Sequence, residues 1–220
     1  MAKLKLTQPT LFLLYGFPGA GKTYFARQLC EELQAAHVQG DRIRGELFDT
    51  PRYDRQENEI VHHLMAYMAE EFLQAGISVV YDVNAMRAAH RRHLREMTRR
   101  MKAKPVLVWF QVDTETAFSR VVKRDRRKAD DKYAAPMDRT TFESLVSGMQ
   151  NPDMTEDYVV VSGKRTFHTQ RSAILKKLYD LRLLHAEQST TGIGKPALVN
   201  LVPNPLPGRV DPSRRNITIR

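Results

Sequence analysis

The eight residues Gly16-Phe-Pro-Gly-Ala-Gly-Lys-Thr23 constrain this chain more than any others, because they fit G-x-x-x-x-G-K-[ST] without adjustment. Glycines at these points let the backbone take turns closed to other residues, so that successive N–H groups point inward at an anion. A helix opening near Gly21 would add the positive end of its dipole. In such a loop Lys22 reaches the β- and γ-phosphates, and the Thr23 hydroxyl ligates magnesium. By ordinary residue frequencies the four fixed positions would meet by chance in fewer than about one chain in a hundred of this length. Gly16, Pro18, Gly19, Ala20, Gly21, Lys22, Thr23 and Tyr24 are therefore expected to surround the phosphates of ATP, with Mg2+ beside them.

The loop has the setting it requires. Thr10-Leu-Phe-Leu-Leu-Tyr15 ahead of it is a short continuous apolar run, the pattern of a strand buried on both faces of a parallel sheet. Behind it, Phe25, Ala26, Leu29, Cys30 and Leu33 recur at helical spacing between Lys22 and Ala36. Further strands are expected over 37–39, 77–81, 105–112 and 157–161, and further helices over about 55–74, 86–101, 115–126 and 172–185. The helix over 55–74 reads with Ile60, Leu64, Tyr67, Met68 and Phe72 as its apolar face. Thr140-Thr-Phe-Glu143 has the form of a capping box opening one more helix.

Strands alternating with helices imply right-handed crossovers. The expected fold class is thus α/β, a P-loop NTPase of adenylate-kinase-like form, with a five-stranded parallel sheet and helices on both faces. Ligands of such sheets bind at the carboxyl ends of the strands. That directs attention to the loop, Asp41, Asp82 and Asp113. Residues 1–186 read as the catalytic domain, with a lid around 120–138, and 187–220 as an extended tail. In the tail Pro196, Pro203, Pro205, Pro207 and Pro212 forbid a helix.

Composition narrows the setting. An apolar fraction of 42% and a charged fraction of 27% over 220 residues suit one globular domain with a complete core. No apolar run approaches the roughly 20 residues needed to span a bilayer, and the N-terminus has no signal-peptide h-region. Cys30 is the only cysteine, so no intrachain disulfide can form, and a cytoplasmic location without membrane contact is expected. A net charge of +10 fits nucleic acid as a partner, and fits equally an enzyme that needs cations around ATP.

Asp41-Arg-Ile-Arg44 stands where the second strand should end. A carboxylate there can take the proton of an attacking hydroxyl, and Arg44 one helical turn later can hold an acceptor or steady the transferring group. The other reading is a helix N-cap followed by a solvent-facing arginine. Arg120 to Lys128 is a basic stretch whose arginines can fold over the nucleotide and neutralise the γ-phosphoryl oxygens. Arg87, Arg91, Arg95 and Arg99 recur at i, i+4, either as a solvated face or as a surface that tracks the phosphates of a polynucleotide.

Val38-Gln-Gly-Asp41-Arg-Ile-Arg44-Gly-Glu-Leu47-Phe48, followed by Tyr53, Asn58 and Val61, resembles the predicted P-loop kinases of the AAA-type family. These group near polynucleotide 5′-kinases, chloramphenicol phosphotransferase and the zeta-type toxin kinases. The resemblance runs from about Leu11 to Gly163. It implies that Asp41 is the general base and that Arg44 contacts the acceptor. Asp82, ending the third strand, takes the usual place of a carboxylate that acts on magnesium through water. The family has Asp-x-Thr-Asn there, whereas this chain has Asn84 and Ala85 at the last two positions, so the family's Asn contact is not carried over. Arg120 and Arg124 match an R-x-x-x-R lid, which implies one near adenine or ribose and the other, Arg124, among the catalytic groups. Asn151-Pro-Asp-Met-Thr-Glu156 is similar to a structural lead-in to the fifth strand.

The expected activity is an ATP-dependent kinase that transfers the γ-phosphate to a hydroxyl acceptor, either a polynucleotide 5′-OH or a small molecule. The alternative is a nucleotide-switched ATPase or binding protein with no phosphoryl acceptor.

Overall fold

In the computed structural model, residues 4–83, 87–129 and 131–184 are described, and the proline-rich segment 187–220 lies outside them, as do Asn84 and Ala85. The apolar runs become strands β1 (Thr10–Tyr15), β2 (Ala36–Gln39), β3 (Val79–Asp82), β4 (Lys104–Gln111) and β5 (Tyr158–Ser162). They pair in parallel in the order β2-β3-β1-β4-β5. The helices are α1 (Lys22–Leu33), α2 (Gly40–Leu47), α3 (Arg55–Gln74), α4 (Ala88–Arg100), α5 (Thr114–Val122), α6 (Arg139–Ser147) and α7 (Phe167–Asp180).

The period-2 alternation of β1 decides which helix meets which face. Phe12 and Leu14 point into a layer filled by Phe25 and Leu29 of α1 and Ile174 and Leu178 of α7. Leu11, Leu13 and Tyr15 point the other way, onto Val61 and Met65 of α3 and Leu94 and Met97 of α4. The sheet is therefore covered on both faces, as a parallel sheet needs. This α/β architecture, a P-loop NTPase sheet with helices on both sides, agrees with the expected fold class.

Several local expectations are corrected. Residues 40–47 form α2, which the N-cap reading of Asp41 implied but which was not among the expected helices, and it begins one residue before Asp41. On α3 the inward stripe is Glu57, Val61, Met65, Ala69 and Leu73, one position away from the expected face. Ile60 and Tyr67 of that expected face are exposed. Glu57 heads the buried stripe, and its bond to Arg44 of α2 turns this side of the helix inward. The cap of α6 is Asp138, whose carboxylate accepts from the Thr141 amide, and not Thr140. α5 stops at Val122, four residues early, because the Asp125 carboxylate takes the Arg127 amide and competes with a further helical turn. α7 begins at Phe167, which packs against Phe25, rather than near Ser172.

The arginine stripe of α4 is the largest correction. Arg91 is fully buried, and its guanidinium forms a two-pronged pair with Glu156, Nε to Oε2 at 2.8 Å and Nη2 to Oε1 at 2.6 Å. It also lies 4.9 Å from the centre of the Tyr15 ring, and Arg95 reaches the same carboxylate at 3.5 Å. A bidentate partner is what allows an arginine to leave water. At these two positions the stripe is neither a solvated face nor a surface for phosphates, and Glu156, in the segment read as a structural lead-in to the fifth strand, is the partner that holds it.

Candidate active site

The phosphate loop joins β1 to α1, so a rigid strand on one side and a helix N-terminus on the other fix its course. Gly19 has φ 81°, and a Cβ there would stand 2.2 Å from the Ala117 carbonyl oxygen of α5. At Gly16 a Cβ would stand 2.7 Å from the Phe110 carbonyl oxygen of β4. The loop is thus wedged between β4 and α5, and only glycine fits at both contacts. Pro18 and Ala20 are buried in this wedge, Gly21 opens α1, Thr23 is half-buried, and Tyr24 is exposed.

Lys22 folds back over the loop. Its ammonium donates to the carbonyls of Gly16 at 2.8 Å and Phe17 at 2.9 Å. Burial lowers its pKa to about 8. The carboxylates of Asp82 and Asp41 act against that shift, and the Arg124 guanidinium adds to it. Those three charges therefore stand around Lys22, although they come from β3, α2 and the segment after α5.

Asp41 is the second residue of α2, and Gln39 holds the cap position. The N-cap reading of Asp41 is therefore replaced by a place in the first turn, where the helix dipole favours a carboxylate. Asp41 is an exposed residue set in a cleft of surrounding protein, and partial loss of water there raises its pKa. Asp82 pushes it further up, against Arg124, Lys22 and Arg44. Asp82 closes β3 opposite Gln39 and is buried. Its Oδ2 lies 3.1 Å from Nε2 of His37 on β2. His37 was not singled out in the sequence. The parallel pairing of β2 with β3 brings the two together, and a register for those strands is the signal that would have found it.

Arg44 is buried and fully engaged: Nη1 donates to Glu57 Oε2 at 2.9 Å and Nη2 to Asn58 Oδ1 at 2.5 Å. Its guanidinium carbon lies 4.8 Å from the centre of the Tyr53 ring. Arg120 stands at the outer side of the loop, donating to the Gly163 carbonyl at 2.8 Å, and with a longer contact to Gly19 O at 3.5 Å. Arg124 follows the end of α5 and faces Asp131 at 4.0 Å. The turn carrying Asp131 continues to Tyr133, whose hydroxyl donates to Glu46 of α2 at 2.8 Å. Asp113 is drawn out of the set, because it caps α5 and pairs with Lys164.

Lys22, Asp41, Asp82 and Arg124 thus form one electrostatic cluster at the carboxyl ends of β1, β2 and β3. Arg44, on the same helix as Asp41, adds a positive charge that lowers the Asp41 pKa, and Arg120 flanks the loop. The Thr23 hydroxyl and the Asp82 carboxylate, the two groups expected to face a metal, are hard oxygens. They suit magnesium, which keeps waters and nucleotide phosphates and needs no all-protein cage. Among the described residues there is no cluster of three or more His, Cys, Asp or Glu that would make such a cage. A cavity of about 440 Å³ lies on the other flank of the loop, lined by Tyr15, Phe17, Trp109, Met149 and Lys164, and includes neither Lys22 nor Asp41.

A sequence model of the family described as AAA domain matches residues 11–150. No curated protein matches the chain. Among solved structures, Kti12 of Chaetomium thermophilum in complex with ADP-AlF3 is similar with a TM-score of 0.62 and 16% identity, over 80% of this chain and 100% of that one. The APS kinase CysC of Mycobacterium tuberculosis, in complex with AMPPNP and APS, gives 0.58 and 17% over 78% and 98%. A gluconokinase from Sinorhizobium meliloti 1021 gives 0.56 and 17% over 79% and 94%. Identities this low speak for the shared fold, and the family match covers well over half of the chain. With its phosphate loop and parallel sheet, this chain belongs to the family described as AAA domain and has a P-loop fold.

Proposed function

We propose that this protein is an ATP-dependent kinase that transfers the γ-phosphoryl group to a hydroxyl of an acceptor, with Asp41 as general base. The observation that carries the reading is that Lys22, folded over a glycine-rich loop at the end of β1, and Asp41, at the end of β2, lie within electrostatic reach of one another and of Arg124. A purely structural carboxylate gains nothing from standing there with a raised pKa. A base gains a proton affinity closer to that of the hydroxyl it must relieve.

In the reaction the acceptor oxygen forms a bond to the γ-phosphorus as the bond from that phosphorus to the β,γ-bridging oxygen breaks. ADP leaves, and the hydroxyl proton passes to Asp41. Lys22 and Arg124 offset the charge spreading over the transferring oxygens. Arg120 flanks the nucleoside side of the loop. Thr23 and Asp82 would hold magnesium, which when bound supplies charge neutralisation on the β- and γ-phosphates. His37 orients Asp82 for that duty.

Labelled ATP incubated with a panel of hydroxyl compounds tests this. Label is expected on an acceptor with the wild type, and on none with Lys22→Ala. Asp41→Asn should still bind nucleotide and should transfer nothing. Label released only as free phosphate, whatever the acceptor, would favour a nucleotide-switched ATPase instead.

A further inference from the structure

Tyr53 is a large ring displayed in an unusual way. It is 40% exposed, yet its surroundings fix it from three directions. Its amide donates to Glu57 Oε2 at 2.8 Å, and its carbonyl accepts from Asn58 Nδ2 at 3.3 Å. The Arg44 guanidinium lies beneath the ring. Its backbone is left-handed, φ 57°, a conformation that costs a bulky L-residue free energy and persists only when neighbours impose it. Those neighbours, Glu57 and Arg44, are a buried ion pair, itself an expensive support. An exposed tyrosine needs none of this for solubility or for the core.

The ring also has a position of consequence. Arg44 stands one turn after Asp41 on α2, so the surface that Tyr53 builds over Arg44 adjoins the base. The phenol feels partial loss of water first, then the Asp41 carboxylate, and on the opposite sign Arg44 and the exposed Arg126 of the segment after α5. A molecule offering its hydroxyl to Asp41 would therefore lie against Tyr53, with Arg126 at hand.

We infer that the exposed part of the Tyr53 ring is the specificity-determining platform for the acceptor, and that the acceptor is a cyclic alcohol, a sugar ring either free or within a nucleoside. The inference rests on the kinase reading above. A flat ring supported by a fixed cation gives contact area to the C–H face of a sugar or to a base, and gives a short acyclic alcohol almost nothing. Arg44 acts through Tyr53 and is a positioning residue.

The test uses the full chain, labelled ATP and three acceptor sets: monosaccharides, 5′-hydroxyl nucleosides, and acyclic alcohols such as glycerol and serine. Cyclic acceptors should be labelled in preference. Tyr53→Leu should raise the KM for the labelled acceptor by between about fivefold and about a hundredfold, the span of single aromatic stacking contacts, and leave the KM for ATP unchanged. Tyr53→Phe should restore the wild-type KM. Whether monosaccharides or nucleosides carry the label identifies the source of the ring. No label on any acceptor, with ATP still hydrolysed, sinks the kinase reading and the platform with it. Label on acyclic alcohols at least as readily as on cyclic ones, or an unchanged acceptor KM in Tyr53→Leu, overturns the platform alone. Should Tyr53→Leu not fold, saturation-transfer NMR on the wild type decides: magnetisation must pass from tyrosine ring protons to the ring C–H protons of the acceptor, and its absence refutes the platform.

Discussion

At the scale of single residues, the site depends on a few positions that accept one side chain only. Gly19 combines a left-handed backbone with a carbonyl directly in the path of any Cβ. Gly19→Ala is expected to destabilise the protein by at least about 1 kcal/mol and to weaken nucleotide binding more than tenfold, as read by chemical denaturation and calorimetry. A variant that binds nucleotide as the wild type does would show that the loop relaxes without loss of its cradle. Asp41 gives a pH signature. Because its pKa is raised, the acceptor reaction should fade as pH falls toward that raised value, from a higher pH than an ordinary carboxylate would set. A kcat/KM profile flat down to pH 4 would remove Asp41 from the role of base.

At the scale of elements, two contacts made by α4 decide how well the layers hold. The Arg91–Glu156 pair ties α4 to the lead-in of β5, and neutralising Glu156 leaves the buried Arg91 guanidinium without this counter-charge. Glu156→Gln should cost about 3–5 kcal/mol in urea unfolding, whereas a loss under 1 kcal/mol would mean that Arg91 finds another partner. The second contact is His90 of α4 stacked on His62 of α3, with centroids 4.7 Å apart. Burial, then the charges of His62, His93 and Arg91, press the His90 pKa down to about 4. In the unfolded chain it would titrate near 6.5, so below that pH the unfolded state binds a proton that the folded state refuses. Stability present above pH 6.5 is lost as pH falls toward 4, by up to about 3 kcal/mol, and His90→Gln should flatten that loss. The element order was legible in the sequence because continuous apolar runs and 3.6-residue spacing are local signals. The facing of α3 and the fate of Arg91 were not, because each depends on a partner far away in sequence: Arg44 for Glu57, and Glu156 for Arg91.

At the scale of the whole molecule, the loop, the parallel sheet and the strand ends that carry the candidate site follow from one motif and one alternation of elements, whereas the strand order β2-β3-β1-β4-β5 is a matter of tertiary packing. The supports (His37 behind Asp82, Glu57 and Asn58 under Arg44, Glu46 for Tyr133) come from strand register and helix docking, which no linear pattern encodes. If the loop binds nucleotide in the folded state only, ATP with magnesium at a hundred times its Kd should add about 2.7 kcal/mol to global stability and raise Tm by about 5–10 °C. Lys22→Ala should show little of that rise, and an equal rise would place the nucleotide elsewhere. The turn from Asp131 to Tyr133 has a consequence for the order of events. Arg124 faces Asp131 at one end of this turn, and at the other end Tyr133 grips Glu46 on the helix that carries Asp41. A shift of Arg124 toward incoming phosphates would then disturb the helix that carries Asp41. Turnover should run as an ordered sequence, nucleotide first, with the second substrate held more tightly once the first is aboard.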